Sequence, residues 1–190
     1  MAADSPDDGE LVRRTRAGDR DAFAALAERH GERLRRFLTT MTGDPSRGDD
    51  LAQEAVLNAF TKLPQLTEPA KFGSWLLAIA CNACRHHLRA AVQRAHRGDD
   101  ALADVAEARR SALSSLVRRE DAALLALAID RLPILLREAF VLFAVENLAY
   151  VEIAAITGAT ENTLQVRVHR AKALLRQQLG ARVGTWWSRP

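Results

Sequence analysis

The chain of 190 residues has only two cysteines, one tyrosine and 5% aromatic residues in all. The two cysteines, Cys81 and Cys84, lie three apart in a helical pattern. That spacing makes no disulfide framework and fits a reducing compartment. No apolar run approaches the roughly 20 residues that a membrane-crossing helix needs. The first residues, Met1-Ala-Ala-Asp-Ser-Pro-Asp-Asp8, are acidic and polar, unlike a signal peptide. A soluble, cytoplasmic protein without membrane insertion is expected. Glycine-rich phosphate loops, nucleophile–base pairs and paired-carboxylate clefts are also missing, so the sequence argues against an enzyme and calls for no cofactor. Neither an internal repeat nor a run of convincing strand alternation is found.

What remains is helical material. Apolar residues make up 48% of the chain and are mostly alanine and leucine, which favours an all-α fold. The net charge is only +3, too small to argue for nucleic acid by itself. Its distribution says more. From Ala70 to Gly98 there is no acidic residue, while Lys71, Arg85, Arg89, Arg94 and Arg97 are present. The segments Asp4–Glu10 and Asp44–Glu54 are acid-rich. Such segregation points to different faces for different partners.

Periodicity and punctuation predict a first helix over Asp8–Ala17, stopped by Gly18. Asp19 then caps a longer helix whose stripe is Phe23, Leu26, Ala27, His30, Leu34, Phe37 and Leu38. Gly43-Asp44-Pro45 breaks it. The third helix carries Leu51, Ala55, either Val56 or Leu57, and Phe60, and ends near Pro64. Pro64–Lys71 reads as a loop. A fourth helix follows with Phe72, Trp75, Leu76, Ile79, Ala80 and Ala83 on its apolar stripe; Phe72, Trp75 and Phe60 are assigned to the core. Gly98–Val117 reads as a linker. Four further helices are expected over Arg119–Leu132, Pro133–Val145, Tyr150–Thr157 and Glu161–Leu179, with Pro133 in the first turn of its helix.

The last two helices, broken at Gly158, form a helix–turn–basic helix of the kind that enters a DNA major groove. In the second, Leu164, Val168, Ala171, Leu175 and Leu179 share the inward face. Asn162, Gln165, Val166 and His169 then lie opposite. Asn and Gln can pair bidentately with adenine, and Val can touch a thymine methyl. Arg167, Arg170 and Lys172 flank them and suit phosphates. Thr160 is a natural N-cap, leaving free N–H groups at the helix start for a phosphate.

Three blocks here, Leu132-Pro133…Arg137-Glu138-Ala-Phe-Val-Leu142, Tyr150-Val-Glu-Ile-Ala…Gly158 and Thr163-Leu-Gln-Val-Arg-Val-His-Arg-Ala-Lys172, resemble region 4 of the bacterial sigma-70 family. The likeness is to its small two-domain group, the extracytoplasmic-function (ECF) sigma factors. Ala17-Gly-Asp-Arg-Asp-Ala-Phe23, Asp50-Leu-Ala-Gln-Glu54 and Phe72-Gly-Ser-Trp-Leu-Leu-Ala-Ile-Ala-Cys-Asn82 are similar to region 2, in the expected order. The resemblance implies a specificity subunit of RNA polymerase made of a region 2-like bundle (1–97), a linker (98–118), a region 4-like helix-turn-helix (119–182) and a short tail (183–190). Asp49, Asp50, Gln53 and Glu54 would dock on core RNA polymerase. Gln65, Thr67 and Lys71, with Glu68, would belong to the loop that captures the −10 strand of promoter DNA. Asn82, Arg85 and Arg89, at i, i+3 and i+7, would line the same single-strand groove. Asn162, Gln165, Val166, Arg167, His169, Arg170 and Lys172 would meet the −35 duplex. Inhibition would come from a separate anti-sigma factor.

Two rivals use the same features differently. A plain helix-turn-helix regulator would leave the acidic helix and the Asn82 face idle. A sigma-like decoy would bind an anti-sigma factor without reading DNA, yet the basic reading faces persist here. The chain also departs from the family's habits: His86 stands where an acidic residue is common, Gln165-Val166 replaces Lys-Ser, and Ala149 lacks a capping side chain. Cys81, Cys84, His86 and His87 span less than two helical turns, a poor geometry for a tetrahedral metal; buried thiols are the expected state. The Trp186-Trp187 tail is too short to pack alone.

Overall fold

The computed structural model describes residues 6–96 and 117–180, with side chains over 6–94 and 122–180. Eight α-helices run α1 (Asp8–Arg16), α2 (Arg20–Thr42), α3 (Pro45–Lys62), α4 (Phe72–His96), α5 (Val117–Asp130), α6 (Ile134–Phe140), α7 (Tyr150–Thr157) and α8 (Glu161–Leu179), with no strand among the described residues. The all-α expectation holds. The linker and the tryptophan tail fall largely outside the described residues, as does Arg97.

Local chemistry sets the boundaries. Asp7, Asp19 and Asp44 each cap the helix that follows, their carboxylates accepting backbone N–H groups of the first turn. Gly43 and Gly158 end α2 and α7 in the left-handed conformation, at φ 68° and 72°. α1 closes one residue earlier than expected, at Arg16. Pro133 is not in the first turn but just outside it, extended at ψ 140°. α6 is also shorter than its apolar run suggests. At Val141–Val145 it widens into a π-helical turn, and Asn147 at φ 55° ends it. The expected loop at 64–71 is two 3-10 turns, Leu63–Gln65 and Pro69–Lys71, each with a proline in its first turn. Ala149 offers no side-chain cap, but Glu152 supplies half of a capping box by accepting its N–H at 2.7 Å.

α1 to α4 pack around Leu26, Phe37, Leu38, Met41, Ala55, Phe72 and Leu76. α2 and α3 approach closely because Gly48 lies against the backbone of Thr39; an added Cβ would sit 2.8 Å from Thr39 N. α5 to α8 pack around Phe140, Leu142, Ile153, Leu164, Val168 and Leu175. Phe72 is buried and Trp75 partly so, as assigned. Of the third-helix alternatives, Val56 turns inward and Leu57 is exposed. Phe60 is a correction: it is 47% exposed, edge-on to Phe23 with centroids 4.8 Å apart. One helical step beyond Ala59, which takes the core position, Phe60 is left on the rim.

The two helical groups touch. α2 meets α5 and the π turn, and α4 meets α6 and α7.

Candidate nucleic-acid and polymerase interfaces

Thr160 Oγ1 accepts the Thr163 N–H at 3.3 Å and starts α8. Leu164, Val168, Ala171 and Leu175 are buried on its inner side, and Leu179 is half-buried. The helix therefore has a fixed rotation. Asn162, Gln165, Val166, His169 and Arg170 are exposed on it, Val166 at 44%. Two cationic candidates stand apart. Lys172 is half-buried, with Nζ over the Phe143 ring at 4.9 Å, and Phe143 in turn stacks on Tyr150 at 5.0 Å. Arg167 is half-buried and acts on the carboxylate of Glu138 in α6.

On α4, Asn82 and Arg89 are exposed and Arg85 is largely covered. Arg85 Nη2 donates to Asn82 Oδ1, so these two share a face in fact as well as in register. The neighbouring 3-10 turns are tied down from α1. Arg16 donates through Nη2 to the carbonyls of Leu63, at 2.9 Å, and Leu66. Leu63 and Leu66 are buried, which leaves Gln65, Thr67 and Glu68 outside. Lys71 Nζ bonds Glu68 at 2.9 Å. Arg16 carried no signal in the sequence, since one arginine at a helix end looks like ordinary charge complementarity with the helix dipole.

Asp49, Asp50, Gln53 and Glu54 are exposed on α3. Arg47 Nη1 lies 3.6 Å from Asp50. Asp49 and Gln53 border an open groove of about 470 Å³ floored by Leu34, Ala52, Val56 and Leu57. Arg35 also lines this groove, so its largely apolar walls carry one acidic, one amide and one basic group.

Between the helical groups lie buried charges that sequence reading missed. Arg137 Nη1 donates to the Met41 carbonyl of α2 at 2.6 Å and to Asp130 Oδ1 at 2.9 Å. Arg33 of α2 pairs with Glu146 at 2.6 Å, the glutamate side chain being 2% exposed. Arg85 Nε lies 3.4 Å from Glu138, whose side chain is 1% exposed. Burial pushes the Glu138 carboxyl upward, with Arg85, then Arg167, pulling against it. The thiols of Cys81 and Cys84 face this same junction. Burial pushes both up, Cys84 to about 12, with Glu138 beside each and Arg137 near Cys84. Both are free and buried, as expected.

Comparison with known proteins decides what these surfaces belong to. Residues 26–94 match the family model for sigma-70 region 2, and residues 122–175 match that for sigma-70 region 4. The chain is 34% identical over 173 residues to the ECF RNA polymerase sigma factor SigM of Mycobacterium tuberculosis, covering 91% of this chain and 85% of that one. This protein belongs to the sigma-70 family, among its ECF sigma factors. It directs promoter-specific initiation of transcription. Two solved structures share the fold. One is CnrH in complex with the cytosolic domain of CnrY (24% identity, TM-score 0.67, covering 92% of this chain and 98% of that one). The other is the sigma factor RpoE in complex with the anti-sigma factor NepR from Bartonella quintana (21%, 0.62, 84% and 98%).

In this sigma factor the groove beside Asp49 and Gln53 and the Asn82 face fall inside the region 2 match, and the α8 face falls inside the region 4 match. No helix among the described residues is long and apolar enough to cross a membrane.

Proposed function

We propose that this ECF sigma factor divides promoter recognition among three surfaces. The exposed face of α8, with Asn162, Gln165, Val166, His169 and Arg170, reads the −35 duplex. Arg167 and Lys172 join them on phosphates, Lys172 once released from the Phe143 ring. Asn82, Arg85 and Arg89 on α4, with Gln65, Thr67 and Lys71 of the adjoining turns, capture the −10 strand. Asp49, Asp50, Gln53 and Glu54 hold core RNA polymerase through the groove beside Leu57.

The supporting observation is the rotation of α8. Four apolar side chains lock one face inward, so the amide and imidazole groups able to read base edges all remain outside. An anti-sigma factor is the proposed regulator, since RpoE of Bartonella quintana, which has this fold, is held by the anti-sigma factor NepR. The proposed activity consists of binding.

Run-off transcription with core polymerase on a promoter library tests the reading. Initiation confined to a subset of promoters, abolished by Asp50→Arg with Gln53→Ala, is the expected result. A protein that binds polymerase or an anti-sigma factor yet initiates nowhere would be a decoy, and a polymerase-independent duplex binder would be a plain regulator.

A further inference from the structure

We infer that Arg16 of α1 is a positioning residue for strand capture, bracing the backbone of the loop that carries Gln65 and Thr67 without touching DNA itself. The inference rests on the proposed role of that loop.

Residues 63–71 join α3 to α4 through the 3-10 turns Leu63–Gln65 and Pro69–Lys71. Each turn is closed by a bond of its own: Leu66 N–H to the Leu63 carbonyl at 3.2 Å, and Lys71 N–H to the Glu68 carbonyl at 2.9 Å. Neither bond ties the loop to another part of the domain. Leu63 and Leu66 are buried on its inner side, whereas Pro64, Gln65, Thr67 and Glu68 are exposed. Among the described residues, Arg16 is the only side chain of another element that hydrogen-bonds the backbone of this loop. Its Nη2 alone serves two carbonyls, Leu63 at 2.9 Å and Leu66, which flank Pro64 and Gln65. The end of α3 leaves carbonyls without intrahelical partners, and a charged donor holds such groups more firmly than a neutral one.

The brace is itself fixed. Leu11 and Val12 bury one face of α1 in the core. Asp8, at its start, pairs with Arg29 at 2.7 Å and His30 at 2.8 Å on α2. Gly9 brings α1 close to the second turn, where an added Cβ would lie 3.7 Å from the backbone nitrogen of Ala70. One short helix thus lies against both turns, Gly9 beside the second and Arg16 on the first. A loop that receives a flexible strand is either ordered beforehand or loses affinity to its own ordering. Arg16 orders it beforehand, and by holding both sides of Pro64–Gln65 it sets where the Gln65 amide stands and from where Thr67 departs.

Hydrogen exchange of the free full-length protein tests the brace alone. Arg16→Ala is expected to speed amide exchange across residues 63–71 at least about fivefold, with α2 unchanged. Arg16→Lys keeps a charged nitrogen for the two carbonyls and is expected to recover most of the protection. Exchange in 63–71 equal to wild type in Arg16→Ala would overturn the brace. Strand binding by the polymerase holoenzyme tests its function. The probe is a fluorescent single strand bearing the −10 sequence that the wild type selects from a randomised pool, with a scrambled strand beside it. Arg16→Ala is expected to bind the selected strand about five- to tenfold more weakly and to narrow its lead over the scrambled one, and Arg16→Lys to restore both. Affinity for the −35 duplex and the salt dependence of strand binding should not change, because no phosphate contact is lost. A slope of log affinity against log salt shallower by about 0.7 would make Arg16 a phosphate ligand and overturn the positioning role. Equal losses on the strand and the −35 duplex would overturn it too, leaving a contact of the fold. So would wild-type strand affinity in Arg16→Ala where Gln65→Ala with Thr67→Ala loses it. If that double variant also binds the strand as the wild type does, the reading of the loop fails and the positioning role falls with it, while the brace seen by exchange stands.

Discussion

Arg137 donates from Nη1 to the backbone carbonyl of Met41, 2.6 Å away and ninety-six residues earlier in the chain. The same guanidinium bonds the Asp130 carboxylate and the carbonyls of Asp130 and Leu132, so one side chain closes the α5–α6 corner and joins it to α2. Its planar fork matches several acceptors at once, which a lysine cannot do. Arg137→Ala is expected to lower stability by about 3 kcal/mol, because buried acceptors lose a charged donor. Arg137→Lys should recover less than half. Urea unfolding followed by circular dichroism measures both; a loss under about 1 kcal/mol would show that the fork is dispensable.

Two glycines in α2 and α3 should respond oppositely to alanine. A Cβ at Gly48 would lie 2.4 Å from Thr39 Oγ1 and 2.9 Å from Thr39 Cα, so the two helices must shift apart. Gly48→Ala is expected to cost about 1–3 kcal/mol. At Gly31 nothing lies within 4 Å of the added methyl, and helix propensity alone acts. Gly31→Ala should stabilise by about 0.5–1 kcal/mol. Thermal melting of the two variants distinguishes them by sign.

Most of the helices and the inward stripe of α8 were legible because each depends on local pattern: Asp19 and Thr160 as caps, Gly43 and Gly158 as stops, apolar residues at helical spacing. The exposure of Asn162, Gln165, Val166, His169 and Arg170 followed from that stripe by exclusion. What was not legible depends on pairing across the chain. Arg33 and Glu146 are ordinary surface residues in sequence, and only the docking of the π turn on α2 buries the glutamate. Arg16 is equally silent until the turn carbonyls of Leu63 and Leu66 arrive beside it. Glu138 did carry a hint: with Arg137 it interrupts an apolar run from Ile134 to Val145, where a charge must be either exposed or paired. Phe60 erred the other way: the buried stripe of α3 runs through Ala52, Ala55 and Ala59, which leaves Val56 and Phe60, four apart, along its edge.

Alkaline stability should depend on Cys84. An ordinary thiol titrates near 9, whereas burial pushes Cys84 up to about 12. Between these values the unfolded chain has released the proton and the folded chain still holds it. The folded state then binds more protons, so stability is full below pH 9 and falls as pH rises toward 12, by up to about 1.4 kcal/mol per pH unit. Cys84→Ala should lower stability at neutral pH through the lost sulfur contacts but flatten the alkaline slope. Parallel slopes for wild type and variant in urea titrations above pH 9 would assign the alkaline loss to other groups.

Substitution on the α4 face is expected to separate strand capture from polymerase binding. Asn82 and Arg89 are both exposed on α4, and neither lines the groove bordered by Asp49 and Gln53. Asn82→Ala is expected to slow promoter opening by about tenfold, the worth of one good base contact, with polymerase affinity unchanged. Permanganate footprinting of the −10 region reads the first and a pull-down with core polymerase reads the second. Equal losses in both would make Asn82 a structural residue.

The face of α8 allows base reading and phosphate contact to be told apart one residue at a time. Gln165 and Arg170 are both exposed, on a helix whose rotation the buried Leu164, Val168 and Ala171 hold fixed, so neither substitution should tilt it. A glutamine amide can meet adenine with two directed hydrogen bonds, and its loss changes which base is favoured. An arginine on a phosphate acts by charge, and its loss weakens every sequence alike. Gln165→Ala should therefore relax selection at one −35 position by about 1–3 kcal/mol, with the salt dependence of binding unchanged. Arg170→Ala should weaken binding uniformly and reduce the slope of log affinity against log salt by about 1. Selection of bound sequences from a randomised −35 library, by polymerase holoenzyme and at two salt concentrations, measures both. If Gln165→Ala leaves the selected sequence untouched, base reading moves to Asn162, Val166 or His169, the other exposed candidates of that face.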